Sequence, residues 1–453
     1  MKKHTQSPCE RSEISYKPSS IKWLGEIPQS WENVSIRSCF TESNQRCNTD
    51  SYPLLSVTIA NGIIYQDDIE NKKDISNDDK SNYKIVPLNA VAYNKMRMWQ
   101  GAVGVNTLTT GIVSPAYIVA IPNEKILPNF VSYLFKSKIM IGEFDKNSYG
   151  LCLDMNNLRY DDFRNIKIPL PPLQEQKEIA EFLDEKCEKI QNYIDKKQKL
   201  ITLLQEKKQA LINEAVCGRV ACHTERSEVS TTAYKPSGIE YLGLIPHHWE
   251  AVKVKFTAYV KGRIGFHGLN SNEFRYDEGA YLVTGNDFDN NEVIWDKCRR
   301  VSEERFYEDP NIHLQNNDLL ITKDGTIGKT AIVNNCPKQA TLNSGIFLVR
   351  TMKEMCFVKY LFFIINSQYF KEFVNVKTSG STIKHLYQSD FHDLKIPLPP
   401  LQEQKQIANF LDKKCEKINS VIEKTKKQIE LVKEYKNTLI NEAVCGRINL
   451  ERK

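Results

Sequence analysis

The sequence predicts an α+β chain in which two globular domains are separated by two long helices, the helices forming an antiparallel coiled coil with a pseudo-twofold internal repeat. Three observations predict it. The stretch PLPPLQEQK at Pro169–Lys177 returns letter for letter at Pro397–Lys405, 397 − 169 = 228 residues later. A second block, YKPSSIKWLGEIPQSWE from Tyr16, returns as YKPSGIEYLGLIPHHWE from Tyr234, 234 − 16 = 218 residues later. Behind each PLPPLQEQK runs a long apolar stripe at heptad spacing.

Each half therefore consists of a repeated opening block, a body that diverges from its counterpart, and a repeated closing segment ending in LINEAVCGR at Leu211–Arg219 and Leu439–Arg447. The second body is the longer by 228 − 218 = 10 residues. At 453 residues, with 26% charged, 41% hydrophobic and 10% aromatic side chains, the chain is an ordinary globular protein of two to three domains. Its net charge of +6 permits a polyanionic partner without demonstrating one. The start, MKKHTQSPCERSE, lacks the apolar stretch of a signal peptide, and the longest apolar run, Tyr360–Ile365, is far short of a bilayer span. A soluble cytoplasmic protein with no membrane association is expected. The twelve cysteines contain no C-x-x-C pair, and Cys187 with Cys415 and Cys217 with Cys445 fall at matching repeat positions. That pattern predicts small, partly buried thiols in a reducing compartment rather than zinc ligands or disulfides.

The closing segment opens with prolines, which precede helices but do not sit inside them. Helices are expected to begin near Gln174 and Gln402. Glu175, Glu178, Glu181, Asp184, Glu185 and Glu188 crowd the first turns of the first copy, where the helix dipole favours acids, and Gly218 and Gly446 supply the stops. Each helix spans about 44 residues, roughly 66 Å. Ala180, Cys187, Ile194, Ile201 and Ala215 occupy one seam position, and Leu183, Ile190, Leu204 and Leu211 the other, with Lys197 and Lys208 interrupting. In the second copy the seam holds Ala408, Cys415, Ile422 and Ile429 with Leu411, Ile418, Val432 and Leu439. A stripe this long needs a cover, and the other copy is the nearest one. A parallel pair would require the second body to carry the chain back across roughly 66 Å, against a radius of gyration of about 16 Å for a body of that size. Antiparallel packing removes the difficulty.

Two unlike bodies on a stiff spacer suit duplex DNA, whose half-sites are spaced in helical turns of about 34 Å, and equally suit two protein patches. In the first body YNKMRMWQG, Tyr93–Gly101, interleaves Lys95 and Arg97 with Trp99 and adds Asn94 and Gln100, residue types that reach phosphates and base edges. In the second body TKDGTIGKT, Thr322–Thr330, follows the strand-like DLLI and offers Lys323, Thr326 and Lys329, while KTSGSTIKH, Lys377–His385, offers Ser381 and Lys384. These ten are the candidate DNA-binding residues.

Nothing in the sequence forms a catalytic centre or a metal site. Gly328, Lys329 and Thr330 match the end of a nucleotide-binding loop, but the position of its first glycine holds Lys323, and the following AIVNN reads as a strand instead of the required helix. No glycine-rich dinucleotide fingerprint follows a strand, and no N-P-P-aromatic tetrapeptide occurs. The eight histidines show no metal spacing; His247 and His248 stand where the first opening block has Gln29 and Ser30.

KIPLPPLQEQKEIAEFLDEKCEKI and its second copy KIPLPPLQEQKQIANFLDKKCEKI closely resemble the specificity subunit of type I restriction-modification enzymes. YKPSGIEYLGLIPHHWE resembles the same family, as do DLLITKDGTIGKTAIV and its weaker counterpart NAVAYNKMRMWQGAVGV. The resemblance implies an N-terminal extension over 1–18, a target-recognition domain over 19–168, the central repeated helix over 169–219, a linker over 220–236, a second recognition domain over 237–396 and the C-terminal repeated helix over 397–453. Each recognition domain would read one half of a bipartite, asymmetric DNA site. The helices would set the gap and dock two methyltransferase subunits, which bring S-adenosylmethionine. A restriction subunit using ATP and Mg would join through them, and this chain, without a cofactor of its own, would catalyse nothing alone. A specificity subunit serving a fused methyltransferase-nuclease, and a two-headed protein-protein scaffold, are the alternatives. CERSEIS at Cys9 and TERSEVS at Thr224 repeat ahead of the openers and receive no role.

Overall fold

The computed structural model describes residues 15–21, 23–47, 52–69, 80–150, 156–219, 233–239, 242–263, 269, 271–378 and 384–448. The repeated CERSEIS stretch up to Ile14, the TERSEVS stretch, most of the N-terminal extension and most of the 220–236 linker lie outside these residues. The chain divides into two compact units, residues 1–197 with 426–453, and residues 198–425.

In the first unit β1 (Tyr16–Pro18) and β2 (Glu26–Pro28) form an antiparallel hairpin, followed by β3 (Glu32–Ser35), β4 (Phe40–Ser43), β5 (Leu55–Thr58), β6 (Gly62–Tyr65), β7 (Lys84–Val86), β8 (Val91–Asn94), β9 (Val103–Val105), β10 (Gly111–Val113) and β11 (Tyr117–Pro122). Then come α1 (Pro128–Lys136), α2 (Lys138–Lys146), α3 (Tyr160–Phe163) and β12 (Lys167–Leu170), which pairs antiparallel with β3 and so closes the body where it opened. The first long helix, α4, spans Leu173–Val216.

The second half repeats this order. β13 (Tyr234–Pro236) and β14 (Leu244–Pro246) form the hairpin, and β15 (Glu250–Lys253) pairs with the closing strand. Between them run β16 (Ala258–Gly262), β17 (Ala280–Val283), β18 (Phe288–Asp289), β19 (Glu292–Val293), β20 (Arg299–Val301), α5 (Glu303–Tyr307), β21 (Leu319–Thr322), β22 (Thr330–Ile332), β23 (Ala340–Leu342) and β24 (Ile346–Thr351). α6 (Val358–Ile365), α7 (Gln368–Thr378), α8 (Gln388–Asp393), β25 (Lys395–Leu398) and the second long helix, α9 (Leu401–Val444), complete it.

The bodies share a sheet that their sequences conceal. The first has the order β4-β11-β8-β9, all antiparallel. The second has the matching order β16-β24-β21-β22, also antiparallel, extended by β19-β18 and flanked by a separate β20-β17-β23 sheet. Each sheet is covered by its helix pair: Phe130, Leu134, Phe135 and Phe144 are buried in the first core, Leu361, Ile364, Phe370 and Phe373 in the second.

The long helices begin at Leu173 and Leu401, end two residues before Gly218 and Gly446, and measure 44 residues each. Both glycines have positive φ, 70° and 73°, as a left-handed helix stop requires. Of the expected seam residues Leu183, Ile194, Ile201, Leu411, Ile422 and Ile429 are buried, and Ile190, Leu204, Leu211, Ile418, Val432 and Leu439 half-buried. The pairing is antiparallel within each unit. In the first, the charge of Lys436 on α9 acts on the buried Cys187 thiol of α4; in the second, Lys208 of α4 acts on Cys415 of α9. Burial pushes both thiols up, and the lysines pull against it. Lys208, which interrupts the apolar pattern, sends its Nζ out to Asn419 Oδ1 at 2.9 Å, and Lys197 lays its ammonium 5.2 Å from the Tyr193 ring, so both keep their charge solvated while their stems cover the seam. Thr425, polar and therefore outside the apolar pattern, is a buried seam residue whose hydroxyl donates to Val421 O at 2.8 Å.

The repeated blocks meet as two matching joints. Gln176, fully buried, accepts from Leu127 N at 2.8 Å and donates to Lys125 O and Pro171 O at 3.0 and 2.8 Å. Gln404 accepts from Phe357 N and donates to Met355 O and Pro399 O at 2.8, 2.9 and 2.9 Å. Each thereby fastens the first turn of a long helix to the loop ahead of its body's helix pair. The Trp31 indole donates to Glu175 at 2.6 Å while its ring abuts Gly446, and Trp249 donates to Glu403 at 3.1 Å while abutting Gly218. The Tyr16 and Tyr234 hydroxyls cap Gly446 O and Gly218 O, each at 3.1 Å. The opening block is thus a bracket that holds the start of one helix copy and the end of the other.

Candidate nucleic-acid interface

The same topological element carries the basic loop in both bodies. β8 and β9 pair Val91 with Val105 and Tyr93 with Val103, leaving residues 94–102 as the loop; β21 and β22 pair Leu319 with Ile332 and Ile321 with Thr330, leaving 322–329. Each loop ends on a glycine two residues before the return strand, Gly101 with φ +89° and Gly328 with φ +87°. A side chain at Gly101 would meet Ile141 of α2 at 2.8 Å, and one at Gly328 would meet Phe370 of α7 at 3.2 Å. Both require the left-handed backbone and a near approach to the second helix of the pair.

In the first loop Tyr93 is buried against Phe163, ring centroids 4.9 Å apart, and Met98 is fully buried, so the loop is pinned at two points. Asn94 accepts from Met96 N at 3.0 Å and bonds to Tyr117 through its side chain. The Trp99 indole donates to Met96 O at 3.1 Å. Arg97 and Gln100 are exposed and Lys95 half-buried, with no ion pair to any of them among the described residues. Asn94 and Trp99 thus shape the loop with their polar atoms, while the side chains of Arg97 and Gln100 are exposed and that of Lys95 half-buried.

In the second loop Thr322 accepts from Lys329 N at 3.0 Å and donates to Thr326 O, which folds the eight residues into a compact turn. Lys329 donates to Gly285 O at 2.8 Å and tethers the turn after β17. Lys323 lies 5.2 Å over the Phe347 ring; burial pulls its pKa down, with Asp324 opposing. Thr326 and Lys384 are exposed, and Ser381 lies outside the described residues. The expected strand after Lys329 is β22, so no helix N-terminus follows to hold a nucleotide's phosphates.

Sequence reasoning missed Lys136, at the end of α1. Its ammonium donates to Thr58 O, Ile59 O and Gly101 O at 3.2, 2.7 and 3.0 Å, joining the β5–β6 turn to the base of the basic loop. Burial lowers its pKa to about 8. In the second body Asn366, just past α6, bonds Thr330 Oγ1 at 2.9 Å and anchors the equivalent hairpin. A lysine at a helix end carries no sequence signal of such a role.

The family model described as the type I restriction modification DNA specificity domain matches residues 28–204 and 268–431, more than half of the chain and once per body. The chain belongs to this family. A Methanocaldococcus jannaschii protein assigned as the MjaX type I restriction enzyme specificity subunit is 25% identical, over 96% of this chain and 98% of that protein. The EcoBI specificity subunit of Escherichia coli is 22% identical over 63% of this chain and 59% of its own. Among solved structures, a chain from work on assembly and conformational transition of the type I restriction-modification system has a TM-score of 0.69 at 16% identity, covering 93% of this chain and 99% of that one. The HsdS subunit of Thermoanaerobacter tengcongensis gives 0.53 at 16% identity, over 93% and 98%. The protein is a type I specificity subunit with two recognition domains, a non-catalytic component of its system, and the scaffold alternative is not favoured. Among the described residues, no helix of this subunit is long and apolar enough to cross a membrane.

Proposed function

We propose that the two bodies each read one half of a bipartite, asymmetric duplex DNA site, that the paired helices fix the gap between the halves, and that they dock two methyltransferase subunits. The observation that carries this reading is the pair of basic hairpin loops, built on the same strands and the same glycine stop yet bearing unlike side chains. A shared backbone with different exposed groups is what two readers of different bases require. Support for two identical partners comes from exposed apolar residues at matching repeat positions off the helix seam. Leu203 and Leu431 are 51% and 65% exposed, Tyr193 and Val421 40% and 45%, both pairs 228 residues apart. Through those partners come S-adenosylmethionine and, with a restriction subunit, ATP and Mg, while this chain supplies the address. The complex works on chromosomal and incoming DNA in the cytoplasm.

Selection from a random duplex library by the complex with its methyltransferase tests the proposal. A split motif with a fixed gap is expected; selection of no motif would overturn it. Log affinity is expected to fall linearly with log salt, and replacing Lys95 or Arg97 by Gln to make that slope shallower by about one, as one phosphate contact does.

A further inference from the structure

Within that reading, one partly exposed side chain outside the two hairpin loops is held against the second of them. The Lys323 carbonyl accepts from Leu386 N at 2.9 Å, and in the other body the Lys95 carbonyl accepts from Leu158 N at 2.8 Å. Both spans are 63 residues, 386 − 323 and 158 − 95, so the segments before α8 and α3 lie against the two loops in the same way. The residue just ahead of each leucine is His385 in one body and Asn157 in the other. That hydrogen bond is shared and the side chain is not.

His385 is held from two sides. Its Nδ1 is hydrogen-bonded by the Asp324 carboxylate, and the backbones of the two residues form an antiparallel bridge. Its ring meets that of Tyr387 edge-on, centroids 4.7 Å apart. The side chain is 32% exposed. A carboxylate on Nδ1 fixes the proton there and leaves Nε2 as the free atom, an acceptor when the ring is neutral. In the major groove the complementary donors are the exocyclic amino groups of adenine and cytosine. The neighbouring Asp324, 43% exposed, opposes a phosphate at the same place by like-charge repulsion. In the first body Asn157 bridges instead to Tyr149, beyond α2, and its side-chain oxygen is buried with no hydrogen-bond partner among the described residues, so only the leucine-to-loop hydrogen bond is common to the two bodies.

We propose that His385 reads an amino-bearing base, adenine or cytosine, in the second half-site, with Asp324 as its positioning residue. The inference rests on the DNA-reading function above. Its test uses the assembled methyltransferase complex carrying His385→Asn or, separately, Asp324→Asn, with the methylated motif determined from a random library. Preference at one position of the second half-site, for adenine or cytosine in the wild type, is expected to change by about fivefold or more with His385→Asn. Asp324→Asn is expected to relax the same position to a lesser degree, with the first half-site and the gap unchanged. Identical preferences at every position in both variants, or a uniform loss of affinity across all sequences, would overturn the inference while leaving the split-site function standing. A wild-type complex that selects no split motif would instead remove the function on which it rests.

Discussion

The two helix joints and the two basic loops differ in opposite respects. The joints match in their main bonds: Gln176 and Gln404 make the same three backbone hydrogen bonds, and Trp31 and Trp249 each span a helix start and a helix end, with His248 adding a bond to Glu403 where the first joint has Ser30. The loops match only in backbone. Asn94 and Thr322 both organise their turns, one by accepting from the amide two residues on, the other by bonding across to residues 326 and 329. Side-chain identity is kept where the buried joints of the two repeats are built, and released in the exposed loops, as the proposed reading of two different half-sites requires.

The joint can be broken hardest at its glycines. Gly446→Ala places a Cβ 2.4 Å from Pro28 Cδ at a φ of +73°, and Gly218→Ala does the same to Pro246 Cγ. Each is expected to destabilise its unit by about 3 kcal/mol, the left-handed strain and the clash together. Calorimetry of the full chain checks this, and unequal losses would show that the joints are not equivalent. Next, Gln176→Leu and Gln404→Leu each strip three backbone groups of their partner, one of them in a buried bond, costing about 2–3 kcal/mol. Urea unfolding measures that loss, and a change under 1 kcal/mol would mean water replaces the amide. Trp31→Phe keeps the ring against Gly446 but loses the bond to Glu175, an expected cost of about 1.5 kcal/mol.

The smallest effect separates the two loops by pH. The Lys136 clamp belongs to the first body, and burial lowers its folded pKa from 10.5 to about 8. Between those values the unfolded chain binds more protons than the folded one, so stability attributable to this residue rises with pH through that window. Compared with Lys136→Met, the wild type is expected to gain about 1 kcal/mol between pH 7 and 9. Parallel pH curves for the two proteins would contradict the burial of the ammonium.

Much of the frame was legible because periodicity and duplication are non-local signals: the seam of α4 and α9, their antiparallel sense and their glycine stops follow from heptads, reach and φ preference. The sheet order was not. Strands of three to six residues in two bodies with little common sequence leave no readable pairing, although β4-β11-β8-β9 and β16-β24-β21-β22 are the same arrangement. The repeated Gln176 and Gln404 read only as early helix residues, because their partners are backbone atoms up to 51 residues away in sequence. Basic turn residues marked the two loops. Of the groups that hold them, Lys136 carried no local pattern, while Asp324 and His385 lay within the two basic stretches but their pairing, 61 residues apart, left no signal.

The most direct measurement exploits the matching joints. A chain in which the second body replaces the first, between unchanged brackets, is assembled with its methyltransferase, and the methylated motif is profiled genome-wide. The account predicts a split motif whose two halves are the same sequence, that of the original second half-site. A motif that still contains the original first half-site would contradict it.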